Sequence, residues 1–253
     1  MTGTDRFQIF LTLLLYSLPG LVVGFTLHEL AHAVVTVRFG DDTPEREGRI
    51  TLDPLAHIDP LGFAMLVGIG FGFAKPVHYN PYRIRTSAQR ALVSAAGPLT
   101  NLVIAVIAGI ALRLLTAAHP DIAIPSLSLD HPLPTLGQGG LGYVLFSILY
   151  QTMFINIVLF VFNMIPIPPL DGFAVLKGGL GNVLPDLIDW MERNRQTLMI
   201  AGIAILVLLP RIGDNPAGNV LLSITDSITT RIYNGPTPFF RGLDSLLNAL
   251  SNR

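Results

Sequence analysis

Residues 7–39 read FQIFLTLLLYSLPGLVVGFTLHELAHAVVTVRF, an apolar run interrupted at Pro19-Gly20 and carrying, besides Arg38 at its end, His28, Glu29 and His32. A bilayer-spanning helix needs about 20 apolar residues, so the run is too long for one perpendicular span and short for two. It reads as one long kinked helix or a helix pair. Three ionisable side chains at membrane depth are costly and functional by default, which makes the same stretch the first place to look for chemistry. The run lacks a small-residue cleavage site and continues straight into those polar residues, so it is expected to stay in the mature protein rather than act as a removable signal.

The rest of the chain agrees with a membrane setting. Of 253 residues, 51% are hydrophobic and 13% charged, against about 45–50% and about 25% in soluble domains. So few charges cannot keep the surface of a soluble protein wet, and the mean hydropathy is +0.57. A net charge of -1 without a long basic run excludes the electrostatic footprint of nucleic-acid binding. The absence of cysteine removes disulfides, thiolate catalysis and Cys-based metal sites, leaving His, Asp and Glu as ligands for any metal.

Working outward, Asp41 to Pro60 is polar and turn-rich, and Leu61 to Ala74 is apolar, glycine-heavy and short. The latter is expected as a re-entrant segment shielded by protein or water. Its Gly68, Gly70 and Gly72 alternate as in a strand-like hairpin that could pair with an extended peptide. Ala91 to Ala118 and Leu141 to Ile165 are expected to span, whereas Thr197 to Leu209, closed by Pro210, is a weaker candidate. The loop from Lys75 to Arg90 holds Lys75, Arg83, Arg85 and Arg90, while that from Ala118 to Gly140 has no Lys or Arg. The basic loop is therefore assigned to the cytoplasm, which puts Pro166 to Asp171 on the same face as the end of the first helix. Residues 1–210 are taken as a membrane-embedded core and 211–253 as a partly amphipathic tail.

His28-Glu29-Leu30-Ala31-His32 has metal-binding spacing. Residues four apart share a helix face, so both imidazoles can reach one ion with Glu29 beside the open coordination position. Zinc held this way lowers the pKa of its bound water to about 7, and an adjacent carboxylate can take the proton and pass it to a leaving amine. With six His and four Glu in the chain, only about 0.002 chance matches are expected, against the alternative of a polar patch lining a cavity. A catalytic zinc wants a third protein ligand. Asp171 is the best placed of the remaining His and Asp residues, in a turn stiffened by Pro166, Pro168, Pro169 and Gly172, although an Asp before Gly also caps turns.

These motifs together resemble the site-2 protease family of intramembrane zinc metalloproteases, in its compact prokaryotic form. The family pairs its His-Glu-x-x-His helix with Asn-x-x-Pro-x-x-x-x-Asp-Gly, which Asn163-Met-Ile-Pro166-Ile-Pro-Pro-Leu-Asp171-Gly172 fits position for position. Ala96-Gly97-Pro98-Leu99-Thr100-Asn101 and Asp53-Pro-Leu-Ala-His57-Ile-Asp59-Pro60 are similar to further family motifs, so the resemblance covers residues 28 to 172. A PDZ-like insertion and a C-terminal nucleotide-sensing module, present in larger relatives, are not recognisable. The resemblance implies one Zn2+ per chain on His28, His32 and Asp171, with Glu29 as general base and acid.

It implies an all-α polytopic membrane protein whose core helices surround the zinc site, with a short re-entrant or β-hairpin-like segment. The substrates would be transmembrane proteins cut in or near their spans, in a prokaryotic plasma membrane, with the site toward the cytoplasm. Asn101 and Asn163 must have partners at membrane depth: either neighbouring backbone or, favoured by the family analogy, substrate or oxyanion. Gly97-Pro98 reads as a packing element. His57 is expected as a loop hydrogen-bonder, His78 as interfacial, and His119 and His131 as solvated. Two other classes remain in view: a metal transporter using the same cluster, and an inactive protein that binds transmembrane helices.

Overall fold

The computed structural model describes residues 3–69, 72–119, 140–181, 183–208 and 216–234. Among these residues there is no β-strand. The long apolar run forms one continuous helix, α1 (Gly3–Arg38), with Pro19 inside it. A short helix α2 (Thr43–Arg46) and a 3-10 turn (Pro54–Ala56) lead to α3 (Pro60–Ile69). There follow α4 (Ser87–Ala118), α5 (Leu141–Asn163), α6 (Asp171–Leu180), α7 (Pro185–Arg193), α8 (Arg195–Leu208) and α9 (Pro216–Asn234).

Phe10–Arg38, Ser87–Ala118 and Leu141–Asn163 are long and apolar enough to cross a bilayer. Leu99, Val103 and Ile107, one helical turn apart along α4, are 52%, 56% and 61% exposed, a stripe that suits lipid better than water. Of Thr197 to Leu209, all but Leu209 lies in the described part of α8. Helix α8 has 14 residues, about 21 Å, short of a hydrocarbon core of about 30 Å.

The glycine-rich segment after Pro60 is helical over α3 and then returns to pair Ala74 with Ile58 in a single antiparallel bridge. The Lys75 amide donates to the His57 carbonyl at 2.8 Å beside it. Gly68 thus sits in a helix rather than in the expected strand-like hairpin, and Gly70 lies outside the described residues. The loop around His131 and the residues after 234 also lie outside them.

Helical contacts divide the chain into two units. One comprises Met1–Leu21, Val103–Ile157 and Thr225–Arg253. In it, a Cβ added to Gly20 would sit 2.7 Å from the Thr152 Cα, and the Asn156 amide donates to the Gly20 carbonyl at 3.1 Å. Small residues let these helices approach until a buried amide can reach the neighbouring backbone. The other unit, Val22–Leu102 and Val158–Ile224, contains every candidate ligand and catalytic residue.

In that second unit α1 ends in a Schellman motif. Gly40 takes a positive φ of 91°, its amide donates to Val37, and the Asp41 amide reaches back to Thr36. The reversal places the Asp41 side chain in the interior, where it accepts from the Thr43 amide at 3.1 Å, the Thr43 hydroxyl at 2.6 Å and the Asn80 amide. Burial alone would raise its pKa, but these donors and the Arg83 charge outweigh burial and lower it below the ordinary 3.8. A depressed folded pKa gives stability that is present above the unfolded value and lost as pH falls through the folded one. Asp41→Asn is therefore expected to cost about 1–3 kcal/mol near neutrality. In thermal unfolding of the detergent-solubilised protein, the gap from wild type should close as pH drops below the ordinary carboxylate value.

Candidate metal centre

Helix α1 presents His28 and His32 on one face, 7% and 8% exposed, with Glu29 beside them at 8%. Their Nε2 atoms are 3.0 Å apart. Asp171, the first residue of α6, brings its Oδ2 to 3.2 Å from His28 Nε2 and 3.3 Å from His32 Nε2. The three residues form a group able to hold one metal ion. Ligand atoms of a tetrahedral zinc site with bonds of about 2.0 Å lie about 3.3 Å apart, so this triangle has the right edge length.

The far nitrogens of both rings are fixed. His32 Nδ1 faces the Val93 carbonyl at 2.7 Å, and His28 Nδ1 faces Asn101 Oδ1 at 2.5 Å. A carbonyl oxygen only accepts, so each ring carries its proton on Nδ1 and leaves the Nε2 lone pair free for a metal, the usual outer support of a metal-binding His. Asn101 is fully buried, and its amide nitrogen donates to the Gly24 carbonyl at 3.3 Å. Asn101 thus faces the His28 ring and the backbone of α1. Asn163 donates to Leu159 within its own helix at 2.9 Å.

Two glycines make the cluster possible. A Cβ on Gly97 would fall 2.6 Å from His28 Nε2 and closer still to that of His32. Sequence reasoning gave Gly97 a packing role alone; the structure makes its missing side chain the space in which the two imidazole Nε2 atoms converge. On the other wall, a Cβ on Gly172 would collide with the Met164 and Ile165 carbonyls. Asp171 thus begins a regular helix directly after a tight proline-rich turn, rather than sitting within the turn as expected.

Glu29 is engaged by the loop between α1 and α4. Its Oε2 accepts from the Val77 amide at 3.2 Å and lies 3.9 Å from Arg49 Nη2. Arg49, 3% exposed, also donates to the Ala56 and Lys75 carbonyls, tying both arms of the loop to Glu29. Nothing in the sequence pattern singled out Arg49, because its partners are 20 residues or more away along the chain or are backbone carbonyls.

The Asp53 to Pro60 motif is a string of caps. Asp53 Oδ1 accepts from the Leu55 amide at 3.0 Å, and Asp59 Oδ1 accepts from the Gly62 amide at 2.8 Å. His57, fully buried, donates from Nε2 to the Thr51 carbonyl at 2.9 Å, as expected of a loop hydrogen-bonder, and is not part of the metal group. His78 is exposed and 3.4 Å from Glu47, and His119 is also exposed.

The family model described as "Peptidase family M50" matches residues 16–209. The chain belongs to peptidase family M50. Among its curated relatives, "Putative zinc metalloprotease YwhC" of Bacillus subtilis is 40% identical over 176 residues, 68% of this chain and 73% of the relative. "Putative zinc metalloprotease Rip2" of Mycolicibacterium smegmatis is 34% identical over 63% of this chain, a match spanning 55% of Rip2. "Putative zinc metalloprotease MJ0611" of Methanocaldococcus jannaschii is 30% identical over 61% of this chain and 65% of its own length. No solved structure matches. The M50 match includes both halves of the cluster and the α4 segment that supports it.

Support of this kind has a measurable strength. Asn101→Ala is expected to weaken metal affinity about 10–100-fold, read by competition with a chromophoric chelator. Gly97→Ala should abolish stoichiometric binding while helix content, followed by far-UV circular dichroism, is retained.

Proposed function

We propose that this chain is an intramembrane zinc metalloprotease that hydrolyses peptide bonds in or near the transmembrane segments of substrate proteins, with His28, His32 and Asp171 as zinc ligands and Glu29 as general base and then acid. Membership of family M50 and the relatives' names make it a zinc metalloprotease, and its apolar helices make it a membrane protein. The observation that carries the finer reading is the triangle of donor atoms, 3.0 to 3.3 Å on a side, two of whose corners, His28 and His32, lie on a helix long enough to span. The donor set is two neutral imidazoles and one carboxylate, which suits zinc and leaves one position for water or substrate.

When bound there, zinc supplies a Lewis acid that polarises the scissile carbonyl and activates water. Glu29 takes the proton of the attacking water and delivers it to the amine of the departing product. The Val77 amide and Arg49 hold the carboxylate in place for both transfers. The substrate's span must unwind locally, because helical carbonyls are already hydrogen-bonded. Residues 1–210 form the membrane-embedded core in this reading, with the site open to the cytoplasm of a prokaryotic plasma membrane, the face that carries the basic loop.

Zinc content and cleavage of a single-span reporter in liposomes, measured on the same preparations, test the assignment. Glu29→Gln should keep about one zinc and lose cleavage by about 10²–10⁴-fold. Asp171→Ala should lose both. Cleavage by Glu29→Gln at the wild-type rate would remove Glu29 as the base and favour a transit site for metal. Full zinc retention without Asp171 would remove it as a ligand.

A further inference from the structure

A cavity of about 440 Å³ in the second unit is not used by the chemistry above. Its lining includes Val77, whose amide is bonded to Glu29, and Leu170, which precedes Asp171. From there it follows α6, past Phe173, to a rim carrying Arg90, Lys177, Glu192 and Arg195. The charges on that rim are unequal. Lys177 and Glu192 neutralise one another at 2.5 Å. Arg90 spends its donors on the Ile84 carbonyl and the Ser87 hydroxyl, which carry no charge. Among the described residues, no carboxylate forms an ion pair with Arg90 or Arg195, so two positive charges in the lining stand unpaired.

A concave space lined by Val77, whose amide is bonded to Glu29, by the apolar Leu170 and Phe173, and by the guanidinium groups of Arg90 and Arg195 fits an extended peptide with a carboxylate side chain. The reach sets the spacing. Lys177 lies six positions along α6 from Asp171, about 9 Å, which an extended peptide covers in about three residues. We propose that this cavity is a specificity subsite that takes the carboxylate of an Asp or Glu lying about two to four residues from the scissile bond. The proposal rests on the protease reading above. Arg195 forms charge-assisted hydrogen bonds to that carboxylate and Arg90 adds its positive charge, while the Lys177–Glu192 pair keeps the remaining wall neutral and excludes a second anion.

The test is a set of single-span reporters carrying Glu, Gln or Lys in turn at each of the flanking positions, cut by zinc-loaded wild type and Arg195→Glu in neutral liposomes. At one position, wild type should prefer Glu over Gln by about tenfold in kcat/KM, as expected for a charge-assisted bond, with most of the change in KM. Arg195→Glu should lose that preference and favour Lys there. Each comparison is a ratio within one preparation, so partial misfolding of the variant cancels. Indifference to charge at every position in wild type, with efficient cutting, would overturn the subsite and leave the protease reading intact. Absence of any cutting by zinc-loaded wild type would instead sink the protease reading. The subsite is then tested by affinity of labelled Glu and Gln peptides for zinc-loaded Glu29→Gln, equal affinities overturning it. An Arg195→Glu effect that tracks the phosphatidylglycerol content of the vesicles, and not reporter charge, would assign the cavity to a lipid headgroup and also overturn the proposal.

Discussion

Four ionisable groups in an apolar helical body have to be given partners, and most of the local structure follows from meeting that demand. His28, Glu29, His32 and Asp171 have little water available to them, and an unpaired charge or polar atom in such surroundings is expensive. Each imidazole is therefore supported behind by an oxygen acceptor, one from a side chain of α4 and one from its backbone. Helix α4 can come close enough to do so only because position 97 has no side chain. The close pass of α6 depends in the same way on position 172. Interior geometry and ligand geometry are a single problem here, solved by small residues at the crossing points and polar residues one turn away.

The loop between α1 and α4 meets a different part of the same demand. Arg49 gathers the carbonyls of Ala56 and Lys75 and stands beside Glu29, so one buried cation both closes the loop and balances the charge of the carboxylate. Asp41, Asp53 and Asp59 satisfy backbone amides at successive turns of the same connection. A stretch that looks merely polar is in this way a set of caps arranged around an interior Arg.

Much of this was legible beforehand because the deciding signals are short-range. The spacing of His28 and His32 is a helical turn, the apolar runs fix which segments can cross a bilayer, and the proline-rich turn before Asp171 marks where a chain must stop and restart. What stayed hidden depends on contacts far apart in sequence. Gly97 read as a packing residue because nothing local says which side chains will point at it. Arg49 carried no signal, since its distant partners are mostly main-chain oxygens. The contact of Asn101 with His28 carried no signal either, since the two residues are far apart in sequence. The glycines after Gly68 suggested a strand, but the apolar run from Pro60 had enough continuous length to close a helix first.

The amide of Val77 gives the site an unplanned form of communication. This amide belongs to the segment that begins at the Ala74 bridge to Ile58 and continues toward Asn80, whose own amide is held by Asp41 at the end of α1. The same few residues of chain are thus pinned at both ends to the body and at the middle to Glu29. Whatever lifts that segment, whether an incoming peptide or a change in the surrounding bilayer, must break the tie to the carboxylate as it moves. Glu29 is thereby tied mechanically to the segment beside it, so that displacement of that segment and loss of this hydrogen bond are one event.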